Sequence, residues 1–118
     1  MKLPHGEALI FAKEVLLRED DSVHVKCEFP MLPTLTMFIE AAAQCSAAFN
    51  SNVDTDAKMG FLTMANNVEL LREIETLHFL FHIKKEVEVG SYKKFSFEAY
   101  DNKHANTVHG KFTLLIQE

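Results

Sequence analysis

The segment Thr34 to Phe49, TLTMFIEAAAQCSAAF, is apolar on almost every side at helical spacing, yet it carries one carboxylate, Glu40, and one amide, Gln44. A helix without a polar face must be wrapped by other elements, because apolar side chains left in water forfeit their burial free energy. Burial there would strip water from Glu40 and favour its neutral form, the condition for an acid or base working near neutrality. The pair also has a structural reading, as a solvated notch or as groups satisfied by backbone N–H donors.

The wrapping elements are visible on either side. From Ser22 to Phe29 the apolar residues Val23, Val25, Cys27 and Phe29 alternate with Ser22, His24, Lys26 and Glu28, the period of a half-buried strand. Pro30 and Pro33 bracket a turn, since their fixed φ excludes a helix interior, and Thr34 or Thr36 can cap the helix that follows. Residues 7–18 are ambiguous between strand and helix. Asn50 to Asp56, NSNVDTD, ends the helix, and Phe61 to Leu71 begins a new extended segment.

From Thr76 three strands follow one another. Leu77, Phe79, Phe81 and Ile83 share one face of the first, Phe95, Phe97 and Ala99 of the second, and Val108, Phe112, Leu114 and Ile116 of the third. Gly90-Ser91 and Asp101-Asn102-Lys103 supply the turns. One apolar helix and an antiparallel meander with one apolar face predict an α+β fold. In it a curved antiparallel sheet wraps around one long central helix at about residues 34–49, all 118 residues forming a single domain. Its open sheet edges predict a homodimer or higher homo-oligomer.

Composition narrows the function. A net charge of -5 with a pI near 5.6 leaves no clustered Lys and Arg for phosphate, so no nucleic-acid partner is expected. The basic doublets Lys84-Lys85 and Lys93-Lys94 have Glu nearby and read as a solvated outer strand face. No apolar run approaches the ~20 residues of a membrane span, and MKLPHGE lacks the pattern of a signal peptide, so a cytoplasmic location is expected. Cys27 and Cys45 are too few for a disulfide framework and read as reduced, small apolar thiols. His78 and His82 share a strand face but stand roughly 13 Å apart, too far to bind one metal. His104 and His109 lie near a hairpin, and no metal or other cofactor is expected.

Several short motifs resemble the bacterial β-hydroxyacyl-acyl-carrier-protein dehydratases, which have the hot-dog fold. Leu3-Pro4-His5 resembles their opening Leu-Pro-His, Phe29-Pro30 the Phe-Pro of their active-site loop, and Ile39-Glu40-Ala41-Ala42-Ala43-Gln44 their helix motif Ile-Glu-Ala-x-Ala-Gln. Phe61-Leu62 with Val68 is similar to their next strand, and Gly90 falls where a turn glycine precedes their final hairpin. The helix motif is the specific part of the likeness.

The resemblance implies a site at a dimer interface beside an acyl tunnel, with Glu40 as the active carboxylate and Gln44 as its hydrogen-bonded support. The family's His, which comes from a His-Phe-Pro-Gly loop, is replaced here by Glu28, and its Gly by Met31, in a loop about two residues shorter. Neighbouring substrate contacts fall on Phe29, Pro30, Met31, Pro33, Phe61 and Met64, with Phe38 and Phe49 as further tunnel or core positions. His24 lies roughly 13 Å before Glu28 on its strand, and His5 belongs to Leu-Pro-His; either could substitute for the lost imidazole. The implied substrate is an acyl chain on acyl carrier protein or coenzyme A. Three functions remain open: dehydration of 3-hydroxyacyl thioesters, thioester hydrolysis by a helix carboxylate without the His, and a non-enzymatic acyl-binding or assembly module.

Overall fold

Six antiparallel strands form one sheet around a single helix in the computed structural model, which describes residues 11–49 and 60–116, without the side chains of residues 60–63 and 116. Leu3-Pro4-His5 and NSNVDTD lie outside the described residues. The elements are β1 (Ala12–Arg18), β2 (Ser22–Glu28), α1 (Leu35–Ser46), a 3-10 turn (Ala47–Phe49), β3 (Gly60–Leu70), β4 (His78–Val89), β5 (Tyr92–Tyr100) and β6 (Asn106–Ile116). The strand order is β1-β2-β4-β5-β6-β3, so α1 falls between β2 and β3, and β3 crosses to the far edge.

The ambiguous segment 7–18 resolves as strand from Ala12 onward. Its Val15, Leu16 and Leu17 are all exposed, which is why no alternation marked it. The predicted faces of the meander are the ones buried: Phe79, Phe81 and Ile83 on β4, Phe95, Phe97 and Ala99 on β5, and Val108, Phe112 and Leu114 on β6. The register sets Phe81 beside Ala99 and Ile83 beside Phe97, a ring against a smaller group each time, whereas Phe95 and Phe112 stack ring on ring at 5.1 Å. Gly90 turns the first hairpin at φ 60, a region that costs a side chain but not glycine. In the second turn Asp101 accepts the backbone N–H groups of Lys103 and Ala105 at 2.8 and 2.9 Å.

The helix begins where Thr34 Oγ1 accepts the Met37 N–H at 3.2 Å. Phe38, Ala41, Ala42 and Cys45 form the stripe pressed into the sheet, where Phe38 packs 5.0 Å from Phe79 and 5.3 Å from Phe29. Burying a ring of this size contributes about 1.5–3 kcal/mol. One expectation is corrected here: the helix is not enclosed on every side. Thr36, Glu40 and Ala47 are exposed and Ile39 and Ala43 half-buried along the opposite stripe, because a single sheet can cover only one side of a helix.

Candidate active site

Glu40 stands in the middle of that uncovered stripe. The i, i+3, i+4 spacing of Thr36, Ile39, Glu40, Ala43 and Ala47 makes the stripe mostly apolar with one carboxylate at its centre. Within one chain Glu40 is exposed, so the chain alone does not supply the dry setting expected for it.

Gln44 is buried, and its Oε1 accepts the backbone N–H groups of Phe11 at 2.7 Å and Ala12 at 3.2 Å, so its carbonyl serves the start of β1. Two donors at the edge of the sheet thereby find a buried acceptor.

Glu28 closes β2, and the register sets it directly opposite His78, the first residue of β4. Glu28 Oε2 lies 3.4 Å from His78 Nδ1, with both side chains about half exposed. A carboxylate–imidazole pair therefore occupies the place where the resemblance expects an imidazole alone. The sequence sets His78 only against His82 on its own strand; the pairing of β2 with β4 is what brings it to Glu28, and the intervening 49 residues give no local sign of it. His24, the nearer candidate in sequence, is engaged differently: its ring stacks on that of His82 at 3.7 Å and 2°. His5 lies outside the described residues.

The loop after Glu28 is held at both ends. Phe29 donates its N–H to the Leu77 carbonyl at 2.9 Å and buries its ring against Phe11, Phe38, Phe79 and Phe81. Pro33 is buried, whereas Pro30 is exposed and Met31 and Leu32 stand out at 60% and 58% exposure. Two apolar side chains at that exposure, with Leu35 at 38% beyond them, leave apolar surface within a few residues of Glu28 along the chain.

Three of the four residues considered for a tunnel can be followed. Phe38 belongs to the core, Phe49 packs on Phe95 at 5.6 Å, Met64 is 58% exposed, and the Phe61 side chain lies outside the described residues. A half-open depression of about 600 Å³ lies instead on the sheet face turned away from α1, lined by His82, Lys84, Glu98, His109 and Lys111 among others. Much of it is internally paired: His109 Nε2 lies 3.1 Å from Glu69 Oε1, and Glu98 accepts Tyr100 Oη at 2.9 Å and Asn106 Nδ2 at 3.3 Å. The basic doublets divide, with Lys84 and Lys94 exposed and Lys85 and Lys93 half-buried; Lys85 Nζ sits 5.7 Å from the centre of the Phe49 ring.

No family model and no curated protein matches the sequence. Solved structures do match. The dehydratase heterocomplex ApeI:P from Xenorhabdus doucetiae superposes with a TM-score of 0.74 at 17% identity, over 98% of this chain and 88% of that one. A thioesterase of Staphylococcus aureus gives a TM-score of 0.70 at 12% identity, over 89% and 93% of the two chains. A hypothetical thioesterase from Streptococcus pneumoniae, solved with coenzyme A, gives 0.64 at 13% identity, over 88% and 84%. The architecture is the hot-dog fold, a single helix held in a six-stranded antiparallel sheet. Structures of this fold include dehydratases, thioesterases and an enoyl-isomerase. Among the described residues no helix is long and apolar enough to cross a membrane.

Proposed function

We propose that this chain is a hot-dog subunit acting on acyl thioesters in the manner of a 3-hydroxyacyl dehydratase, with Glu40 as its active carboxylate and acyl carrier protein or coenzyme A as the carrier. The observation that carries this reading is the uncovered stripe of α1. A mostly apolar surface with one carboxylate at its centre is poorly suited to water and well suited to cover by a second copy of the chain. Cover of that kind removes Glu40 from bulk solvent and leaves it beside whatever acyl chain enters the seam, within reach of the thioester. Pro30, Met31 and Leu32 supply apolar surface at the mouth, and Phe29 and Pro33 hold the loop that presents them. A cytoplasmic location belongs to this reading, and the free, buried Cys27 and Cys45 suit a reducing compartment.

The test uses the purified full chain with 3-hydroxybutyryl and crotonyl thioesters, following the enoyl absorbance, and with acyl-coenzyme A, following free thiol. The expected result is interconversion of the hydroxyacyl and enoyl forms, lost by about 100-fold or more in Glu40→Gln without change in melting temperature. Thiol release in place of hydration moves the reaction to hydrolysis at the same carboxylate. A fully active Glu40→Gln removes Glu40 from the chemistry, and a wild-type chain inert in both assays overturns the enzymatic reading.

A further inference from the structure

We infer that β1 is a docking edge for a second copy of this chain, the two β1 strands pairing antiparallel about a two-fold axis through Leu16. The contact uses no residue of the α1 stripe, and it stands or falls independently of the chemistry proposed for Glu40.

β1 comes first in the strand order and pairs with β2, so its other edge meets no strand among the described residues. Every residue from Lys13 to Asp20 is exposed, including the consecutive apolar residues Val15, Leu16 and Leu17, with Leu16 at 52%. A strand edge left in water is ordinarily blunted by proline or by charges along its length, and three apolar neighbours at its middle call for a cover. Two bulges, between Ala12 and Glu14 and between Val15 and Leu17, interrupt the ladder with β2. They leave Val15 opposite the buried Val25 and Leu17 opposite His24 on the other face, so apolar groups border the edge on both sides. Bulges also bend a strand, which confines the pairing to this short stretch.

The charges decide what covers it. From Lys13 to Glu19 the chain reads KEVLLRE, and a second copy laid antiparallel and centred on Leu16 sets Leu16 against Leu16, Val15 against Leu17, Glu14 against Arg18 and Lys13 against Glu19. Apolar groups meet apolar groups, each charge meets its opposite, and the two-fold symmetry repeats every pair on the other side of the axis. Slipping the register by one residue in either direction destroys the match: one slip sets Lys13 against Arg18, the other Glu14 against Glu19. Like charges directly opposite destabilise a strand pair and unlike charges support it, so a single register is selected. A foreign strand would need this same order of charges read in reverse, which a second copy carries by construction.

The test reads the register with single cysteines in the full chain, Cys27 and Cys45 being buried and out of reach. Residues directly opposite on antiparallel strands have Cα atoms about 4.5–5.5 Å apart, within the span of a disulfide. Under mild oxidation with copper phenanthroline, Leu16→Cys is expected to form a covalent dimer, whereas Lys13→Cys, which faces Glu19 rather than itself, stays unlinked. In sedimentation equilibrium, Glu14→Arg and Arg18→Glu are each expected to weaken self-association by about 3-fold or more, and the double variant Glu14→Arg/Arg18→Glu to restore it. A Leu16→Cys chain that links no better than Lys13→Cys overturns the inference. So do charge reversals without effect, or a double variant no better than the singles. Loss of turnover in Glu40→Gln bears on the proposed chemistry alone, since that variant is expected to keep the β1 contact.

Discussion

The Sγ atoms of Cys27 and Cys45 lie 3.4 Å apart in the core, joining the strand that ends at Glu28 to the helix that carries Glu40. Neither thiol touches solvent. Burial, and then the contact with Cys27, pushes the Cys45 thiol well above its ordinary value. The folded chain therefore keeps a proton that the unfolded chain releases above about pH 8.5. Because the folded state then binds more protons, stability falls as pH rises from that point through the folded value. Urea midpoints measured between about pH 7 and 10 are expected to decline, and Cys45→Ala to flatten the decline. An equally steep fall in Cys45→Ala would show that another group is responsible.

Gln44 gives a prediction of the opposite sort, insensitive to pH. Removing its side-chain oxygen leaves the N–H groups of Phe11 and Ala12 without the acceptor they share. Gln44→Leu, which keeps the volume, is expected to lose about 1–3 kcal/mol in denaturant titration. A loss no larger than that of an exposed control would show that water replaces the amide at no cost.

His82 loads stability from the acid side. Burial lowers its pKa, the adjacent His24 lowers it further, and Glu98 acts against both. The unfolded imidazole takes up a proton as pH falls through about 6.5, while the folded one resists until a lower pH. Stability is thus present above that value and lost below it. His82→Phe, which keeps a ring to stack on His24, is expected to lose less stability than wild type between about pH 7 and 5, read as the shift in melting temperature. Matching shifts in the two proteins would dismiss His82 as the source.

Two glycines separate strain from space. A Cβ on Gly110 would meet Val68 Cγ2 at 2.7 Å and Val68 Cα at 2.9 Å, and the latter is backbone that cannot move without disturbing β3. On Gly90 it would meet nothing, and the cost is only the positive φ. Gly110→Ala is therefore expected to cost about 1–3 kcal/mol, more than the roughly 1 kcal/mol of Gly90→Ala, in equilibrium unfolding. The reverse order would mean that β3 yields easily.

The parts legible in the sequence were those governed by neighbours along the chain. Alternation located β2 and the buried faces of β4, β5 and β6, while Pro33 and Thr34 marked where α1 begins, because such patterns repeat within a few residues. What the sequence hid depends on pairing at a distance. The approach of Val68 to Gly110 follows from β3 crossing to β6, and nothing near either residue announces it. The Glu28–His78 contact needs the same kind of knowledge about β2 and β4. Apolar composition along Thr34 to Phe49 concealed a distinction between two stripes, since alanine suits a buried face and an open one alike, and Glu40, expected to be buried, lies on the open one within a single chain.

The placement of β3 also governs the order of assembly. β4, β5 and β6 can zip through short hairpins, but β3 pairs Gly60 with Ile116 and Leu70 with Val108, contacts that enclose the whole meander. Loop closure over such a span is slow compared with a hairpin. Until β6 has formed, β3 remains an unmatched ribbon able to recruit a strand from another molecule, so crowding during refolding should divert the chain toward aggregates at this strand before any other.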